Sequence, residues 1–332
     1  MFFILITIFV LIFMFTTTVG IHELGHMMVS KWFHVEVPQF SIGIGKKIFS
    51  FRFHGTEYCF RLLPLGGYVV VTGQVPLLEK NKKIFVVPNE NNEILYIGSK
   101  RVLAKKFNNV LSLNVKGYSD LGIYDTNDIF YSFRDDTQRL LGYDSFPVER
   151  NKTCLYKRPI GAQLLVFLAG VCMNFLLSIF LFFVVGLTLK HSFLSSLLFG
   201  LQINGVVITD TLRLLPSLFT PHGIQQVGGV VYMGNLVYHV VRTGSSFHMN
   251  YVYWYQKVEI LVLIFGLLNT SVGIMNLLPI PPLDGFHVVR VCIEKITPIP
   301  LFVSTVISAI GVFLLILFAV VVNLHDILVI VH

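Results

Sequence analysis

Four long stretches without Asp, Glu, Lys or Arg dominate the hydrophobic pattern of this chain. They are Met1–Ile21, Pro159–Leu189, Ile260–Leu283 and Ile296–Leu324. A helix needs about 20 apolar residues to cross a hydrocarbon core of about 30 Å. Each stretch is long enough, so the pattern predicts a polytopic α-helical membrane protein with about four transmembrane helices. Because no basic residue precedes the first stretch, we interpret it as a retained helix rather than a secretory signal peptide.

A period of two replaces the helical pattern after the first predicted transmembrane helix, which we assign to residues 1–37. In residues 38–74, large apolar side chains occupy every second position of two short runs: Phe40, Ile42 and Ile44, and then Phe49, Phe51 and Phe53. This alternation predicts strands, with a turn at His54-Gly55 and an end to the run near Pro64 and Gly66-Gly67. We therefore expect a membrane-associated β-hairpin or small sheet.

The remaining segments divide the chain further. Residues 75–158 are polar and basic, and their short strand-like runs between turn clusters predict a small, β-rich cytoplasmic insert. Residues 159–189 form the second predicted transmembrane helix. Residues 190–255 are mixed in character, and we expect them to form an extracytoplasmic amphipathic segment. Residues 256–332 contain the third and fourth predicted transmembrane helices.

Composition and charge agree with a membrane protein and predict its orientation. Only 13% of the residues are charged, against roughly a quarter in soluble domains. Of the 25 Lys and Arg residues, 19 lie between Lys31 and Arg158, and cytoplasmic segments are enriched in these residues. We therefore expect this region on the cytoplasmic side of a cell membrane and both termini outside. The net charge of +7 then reflects the inner membrane face and gives no indication of nucleic-acid binding.

A metal-binding pattern, His22-Glu23-Leu24-Gly25-His26, follows the first apolar stretch directly. On a helix, residues four apart lie on one face, so both imidazoles can reach a single zinc ion. Glu23 projects close to the same ion, where it can accept a proton from water and return it to a leaving amine. Such a short pattern also arises by chance. Its position at the end of an apolar helix favours a functional site, because ionisable side chains are costly there.

A candidate third ligand, Asp284, ends the third apolar stretch. A catalytic zinc ion has three protein ligands and one open position. Asp284 is the first acidic residue after 24 uncharged ones, and it follows the helix-breaking Pro279 and Pro281. Non-helical backbone at membrane depth is tolerated only against protein or a wet cavity. The alternative is a loop aspartate just past a helix end at the membrane surface.

These motifs resemble those of the site-2 protease family of intramembrane zinc metalloproteases, over most of the chain. The resemblance rests on His-Glu-x-x-His, on Asn-x-x-Pro-x-Pro-x-Leu-Asp-Gly from Asn276, and on Ala169–Phe175, which is similar to the family's Gly-Pro-x-x-Asn motif. It implies that His22, His26 and Asp284 bind one zinc ion and that Glu23 is the catalytic acid/base. It also implies that Asn174 and Asn276 bind substrate or stabilise the site. For each asparagine, an interhelical hydrogen bond is the structural alternative.

The function that the resemblance implies is hydrolysis of peptide bonds in the transmembrane segments of other membrane proteins. Anti-sigma factors and remnant signal peptides are the substrates typical of this family. The expected partners are therefore membrane proteins with a transmembrane helix, and the lipid bilayer. Many bacterial relatives carry PDZ modules between the second and third transmembrane helices. We expect none here, because the interval Lys190–Gln256 is short for such a module and its connections.

Two other classes of protein have the same ligand types. A non-catalytic membrane zinc-binding protein would need the histidines and the aspartate, but a purely structural site has no need of Glu23. A transporter could use histidine and aspartate as an ion relay, but that class often shows broken helices in both halves of the chain. In this sequence only one broken helix is evident, so we favour the protease.

Overall fold

The computed structural model describes most of the chain. The described residues are 2–72, 83–98, 108–119, 122–125, 130–141, 144–147, 154–155, 158–189, 191–214, 216, 228–243, 254–294 and 301–331. Seven helices occur in them: α1 (Phe2–Trp32), α2 (Ile160–Thr188), α3 (Phe193–Leu214), α4 (Val230–Thr243), α5 (Trp254–Asn276), α6 (Asp284–Glu294) and α7 (Leu301–Val331).

Five helices in the described residues are long and apolar enough to cross a membrane. They are α1, α2, α3, α5 and the portion Val306–Ile330 of α7. The prediction of a polytopic membrane protein is therefore supported, but the predicted count of four helices is not confirmed. The additional helix, α3, lies in the segment that the sequence predicted to be extracytoplasmic and amphipathic. A search for uncharged stretches misses it because Asp210 and Arg213 occupy its last turns.

The polar and small residues of α3 form its contact with α2. The positions of Ser196, Gly200 and Asn204 are four residues apart, and all three residues are buried. A Cβ atom on Gly200 would lie 2.8 Å from the Ile179 carbonyl oxygen, and the Asn204 amide donates to the Ser178 hydroxyl. Small residues and side-chain hydrogen bonds are what hold helices together in lipid, because burial of apolar surface gains little there.

Helices α3 and α5 both run antiparallel to α2. Ser196, near the start of α3, contacts Gly186, near the end of α2. Asn204, further along α3, contacts Ser178, which comes earlier in α2. Along α5, Gly266 packs on Phe182 and Gly273 packs on Phe175. The chain therefore returns between residues 214 and 254 to the side from which α3 starts. Helix α4, within this interval, packs against α1 and α5 through the fully buried Val237 and Val240.

The β-region after α1 consists of two long bent strands, β1 (Gln39–Phe53) and β2 (Thr56–Val70). They are joined by a turn at His54-Gly55, where both residues have positive φ (45° and 78°), as in the two-residue turns of hairpins. Residues 39–42 pair with 57–60 on one side and with 67–70 on the other. The strand thus continues beyond the glycines at which the sequence predicted its end, because that part of β2 pairs with β1 again.

The edge of this sheet faces α1. The Thr16 hydroxyl of α1 donates to the Pro64 carbonyl oxygen over 2.6 Å. One face of the sheet, with Phe40 and Val69, joins a hydrophobic core with Met27 of α1 and Phe167 of α2. Residues 67–70 form an edge segment without a further strand partner among the described residues. This edge segment lies beside the part of α1 that carries the histidine motif.

The polar insert is β-rich in its described residues. Its strands are β3 (Lys83–Pro88), β4 (Glu93–Gly98), β5 (Leu111–Ser119), β6 (Gly122–Asp125), β7 (Phe130–Leu141) and β8 (Asp144–Pro147). They form one sheet in the order β4-β3-β5-β6-β7-β8, with an additional pairing between β4 and β7. The Leu155 N–H donates to the Thr72 carbonyl oxygen over 2.9 Å. The insert therefore leaves and re-enters the membrane part of the chain at a single point.

The described residues between α2 and α5 contain the helices α3 and α4 and no strand. This is compatible with the expectation that no PDZ module is present. The remainder of the predicted extracytoplasmic amphipathic segment, at residues 190, 215, 217–227 and 244–253, lies outside the described residues.

The packing of α3 on α2 leads to a matched pair of substitutions. Gly200→Ala places a Cβ atom 2.8 Å from a backbone oxygen of α2, whereas a Cβ atom on Gly205, in the same helix, meets nothing within 4 Å. We expect Gly200→Ala to destabilise the protein by about 1–3 kcal/mol, because overpacking forces the helices apart. Gly205→Ala should be neutral or stabilise by up to about 1 kcal/mol. Thermal unfolding in detergent measures both, and equal melting temperatures would contradict the described packing.

Candidate metal centre

The two histidines of α1 and the aspartate that begins α6 meet in one cluster. The His22 Nε2 and His26 Nε2 atoms are 3.1 Å apart. The Asp284 Oδ2 atom lies 2.9 Å from His22 Nε2 and 3.3 Å from His26 Nε2. Both histidines are buried. In the part of the chain that the structure describes, this is the one group of three or more His, Cys, Asp or Glu residues with metal-ligand spacing.

The loop between α5 and α6 brings Asp284 to the histidines. Helix α5 ends at Asn276, and a turn closed by the bond from Leu283 N–H to Ile280 O (2.9 Å) precedes α6. The Phe286 N–H then donates to Leu283 O (3.1 Å) at the start of α6. A Cβ atom on Gly285 would overlap the Leu277 carbonyl oxygen of this loop. Only glycine therefore fits after Asp284, and the loop folds tightly back against the start of α6.

The geometry of the cluster fits a zinc ion. Two ligands that each lie about 2 Å from a tetrahedral zinc are about 3.3 Å apart, close to the three distances found here. Two imidazoles and one carboxylate are also an established ligand set for catalytic zinc. Burial raises the pKa of the Asp284 carboxyl, but the neighbouring His22 and His26 imidazoles outweigh burial and bring the pKa below its ordinary value. The aspartate is thus held ionised, as a metal ligand must be.

Groups on α2 orient both imidazoles. The His26 Nδ1 atom lies 2.7 Å from the Val166 carbonyl oxygen, and because a carbonyl only accepts, Nδ1 carries the proton and Nε2 is left free for a metal. The His22 Nδ1 atom lies 3.3 Å from the Asn174 amide nitrogen, while the buried Asn174 Oδ1 has no partner. Rotating that amide by 180° places Oδ1 against an Nδ1–H group of His22 and satisfies both.

Gly170 of α2 leaves room for the two imidazoles, a role that the sequence analysis did not identify. A Cβ atom on Gly170 would overlap His26 Nε2 and would lie 2.6 Å from His22 Cε1. Where the two helices cross, a Cβ atom on Gly25 would lie 2.5 Å from the Ala169 carbonyl oxygen. The His-Glu-x-x-His glycine and the Ala169-Gly170 pair could have signalled this close crossing, since small residues mark such contacts in membranes.

Glu23 lies between the cluster and the edge segment of the sheet. A Cβ atom on Gly67 would be 3.6 Å from the Glu23 Cγ atom, and the Val69 backbone N–H donates to the Glu23 carboxylate. The edge segment thus holds the glutamate beside the histidines. The contact joins two regions that are more than 40 residues apart in sequence, so no local pattern indicates it.

Two further residues, Asn276 and His287, lie outside the three-residue cluster. Asn276 is the last residue of α5 and is half-buried; within the described residues, no hydrogen bond joins its side chain to the three-residue cluster. His287 lies in α6 and stacks on Phe167, with ring centroids 5.1 Å apart. Burial lowers the pKa of His287, and its ring serves as a packing surface between α6 and α2.

The chain is similar to known bacterial metalloproteases. The model of Peptidase family M50 matches residues 10–318. Zinc metalloprotease RasP of Geobacillus kaustophilus is 32% identical over 189 residues, covering 52% of this chain and 43% of that protein. A Helicobacter pylori protein described as a zinc metalloprotease is 25% identical over 339 residues, covering 88% of this chain and 90% of the relative.

A third relative, a Staphylococcus aureus protein also described as a zinc metalloprotease, is 33% identical over 205 residues. The match covers 54% of this chain and 44% of that relative, so the chain spans less than half the length of this protein. The family match, by contrast, extends over nearly the whole chain and includes the histidines of α1, Asn174 of α2 and Asp284. The chain belongs to Peptidase family M50.

Proposed function

We propose that this protein is a zinc-dependent intramembrane endopeptidase in which His22, His26 and Asp284 hold one zinc ion. The observation that carries the proposal is the meeting of three ligand atoms, 2.9–3.3 Å apart, with the glutamate of the same motif. All of them lie among helices long and apolar enough to cross a membrane. An ionisable cluster in that setting is costly unless it has a function.

The residues of this chain divide the chemistry among them. Zinc, when bound, acidifies a water molecule and polarises the peptide carbonyl group. Glu23 accepts the proton of the attacking water and passes it to the nitrogen of the leaving amine. Val166 and Asn174 keep the two imidazoles in the orientation that ligation requires. Asn276, the half-buried last residue of α5, is available to bind the substrate backbone.

The substrate is, on this proposal, the transmembrane segment of another membrane protein. The peptide bonds of a helix are shielded by their own hydrogen bonds, so the segment must unwind before water can attack. The edge segment at residues 67–70 offers backbone groups to which an unwound segment can add as a strand. Because Glu23 touches this edge, an added strand would pass directly beside the metal centre.

The location that we propose is a bacterial cell membrane, with the metal centre open toward the cytoplasm and both termini outside. The basic region that begins at Lys31 supports this orientation, because it follows the histidine motif directly. Anti-sigma factors and remnant signal peptides are the candidate substrates. Comparison of membrane proteomes with and without the active enzyme would identify them, since uncleaved substrates accumulate only without activity.

The first prediction separates catalysis from metal binding. Glu23→Gln should retain zinc but lose cleavage by about 10²–10⁴-fold, because the amide cannot accept a proton from water. His22→Ala and Asp284→Asn should lose zinc as well. Metal analysis of purified protein and cleavage of a membrane-reconstituted substrate measure the two effects. A Glu23→Gln protein that cleaves at the wild-type rate would leave only a non-catalytic zinc-binding role for the site.

The second prediction concerns the space beside the ligands. Gly170→Ala should reduce both zinc content and cleavage, because the added methyl group overlaps the imidazoles. The matched control is Gly161→Ala on the same helix, where a Cβ atom meets nothing within 4 Å. If Gly170→Ala binds zinc as well as the control does, the cluster does not have the described geometry.

The third prediction compares the edge segment with the insert. Proline at Val69 removes the backbone N–H that the edge presents beside Glu23 and should impair cleavage of helical substrates strongly. Replacing residues 73–153 by a short linker should impair cleavage less, because Thr72 and Leu155 already meet. Equal activity of the Val69→Pro variant and wild type, with zinc content unchanged, would exclude strand addition.

A further inference from the structure

A fixed arginine lies against the edge segment on the face opposite to Glu23. The Arg61 Nε–H donates to the Ser41 hydroxyl over 2.9 Å. One terminal nitrogen donates to the Gly45 carbonyl oxygen over 2.8 Å, and the other donates to the Tyr68 hydroxyl. The guanidinium carbon is 5.3 Å from the centroid of the Tyr68 ring. Both Arg61 and Tyr68 are partly exposed, so a ligand can reach them.

No carboxylate among the described residues forms an ion pair with Arg61. Its hydrogen-bond acceptors in this part of the chain are a hydroxyl, a carbonyl and a phenol. Pro64 lies three residues after Arg61 in β2, and its carbonyl oxygen accepts a hydrogen bond from Thr16 in the apolar half of α1. A charge without an ion pair beside the apolar part of a membrane helix is costly and is by default a functional group.

The donor groups that Arg61 still has free define what it can bind. A guanidinium has five N–H groups, and three of them are used in the bonds above. The remaining two are on the two terminal nitrogens, one on each. Such a pair matches the two oxygens of a carboxylate, which a guanidinium binds through parallel hydrogen bonds.

The alternating directions of the side chains in the edge segment place Arg61 and the metal centre on opposite faces of the sheet. A Cβ atom on Gly67 would point at α1, 3.2 Å from Val19 Cγ1 and 3.6 Å from Glu23 Cγ. Successive side chains of a strand point to opposite faces. Tyr68 accordingly points away from α1, toward Arg61. A strand added along this edge would therefore present alternate side chains to Glu23 and to the Arg61–Tyr68 pair.

We propose that Arg61 and Tyr68 form a specificity subsite for an acidic side chain of the substrate; this rests on the proposed function and on strand addition at residues 67–70. The preferred substrates are membrane segments with Asp or Glu an odd number of residues from the residue that faces the metal centre. The acid compensates the charge of Arg61, so its binding also draws the unwound segment onto the edge. A purely structural Arg61 would only brace Tyr68 and would show no preference for substrate charge.

The test is a positional scan with the unmodified, zinc-loaded full-length chain. Glu, Gln or Leu is placed in turn at each position around the cleavage site of one transmembrane test substrate, and kcat/KM is measured by mass spectrometry. Glu should raise kcat/KM about 10-fold or more over Gln and Leu, as a charge-assisted hydrogen bond provides. The gain should occur at positions of one parity only. A gain at neither parity, or equally at both, would overturn the subsite.

Variants then assign the preference to Arg61. In Arg61→Gln, and less completely in Tyr68→Phe, the ratio of rates for the Glu and Leu substrates should fall toward one. Arg61→Glu should prefer Lys at the same substrate position. The matched control is Arg52→Gln, an exposed arginine on β1 near the turn, which should keep the wild-type ratio.

The outcomes separate this inference from the proposed function. Persistence of the acid preference in Arg61→Gln would contradict the subsite while leaving the protease intact. If wild-type protein cleaves no substrate of the series, including those with Leu, then the proposed function fails and the subsite fails with it.

Discussion

The candidate metal centre depends on how closely the backbone of α2 approaches α1. A side chain at Gly25 would collide with the Ala169 carbonyl, and a side chain at Gly170 would collide with the two imidazoles. This approach lets the Val166 carbonyl and the Asn174 amide reach the Nδ1 atoms of the histidines. In lipid, close packing and interhelical hydrogen bonds are the main forces between helices. The contacts that hold α1 and α2 together are therefore the ones that orient the ligands.

The β-region supplies the other wall of the centre and has two different faces. Its apolar face packs on α1 and α2 through Phe40 and Val69, and its edge holds the Glu23 carboxylate. The opposite face is polar, with Ser41 and Gln39 buried beside the Arg61–Tyr68 pair. One sheet thus contacts Glu23 on one side and carries, on the other, the Arg61 side chain that we propose as a recognition element.

The cluster of two histidines and one aspartate could be predicted from sequence because its signals are local. Spacing of four on a helix brings His22 and His26 together, and an isolated acid after broken helix turns marks Asp284. The roles of Gly170 and Val166 depend on where two distant helices cross, which no local pattern specifies. Helix α3 was missed because Asp210 and Arg213 shorten its uncharged stretch and because its other polar residues, such as Asn204, face α2 rather than water. The end of β2 was predicted too early because its last residues are stabilised by pairing with residues 39–42.

The central claim is that one zinc ion is held by two imidazoles and a carboxylate within the membrane. X-ray absorption at the zinc edge of the purified, detergent-solubilised protein tests it most directly. The account predicts a shell of nitrogen and oxygen ligands at about 2.0–2.2 Å, with the scattering pattern of two imidazoles and no sulfur. His26→Ala should remove one imidazole from that pattern. A zinc–sulfur distance of about 2.3 Å, or a spectrum that His26→Ala leaves unchanged, would contradict the account.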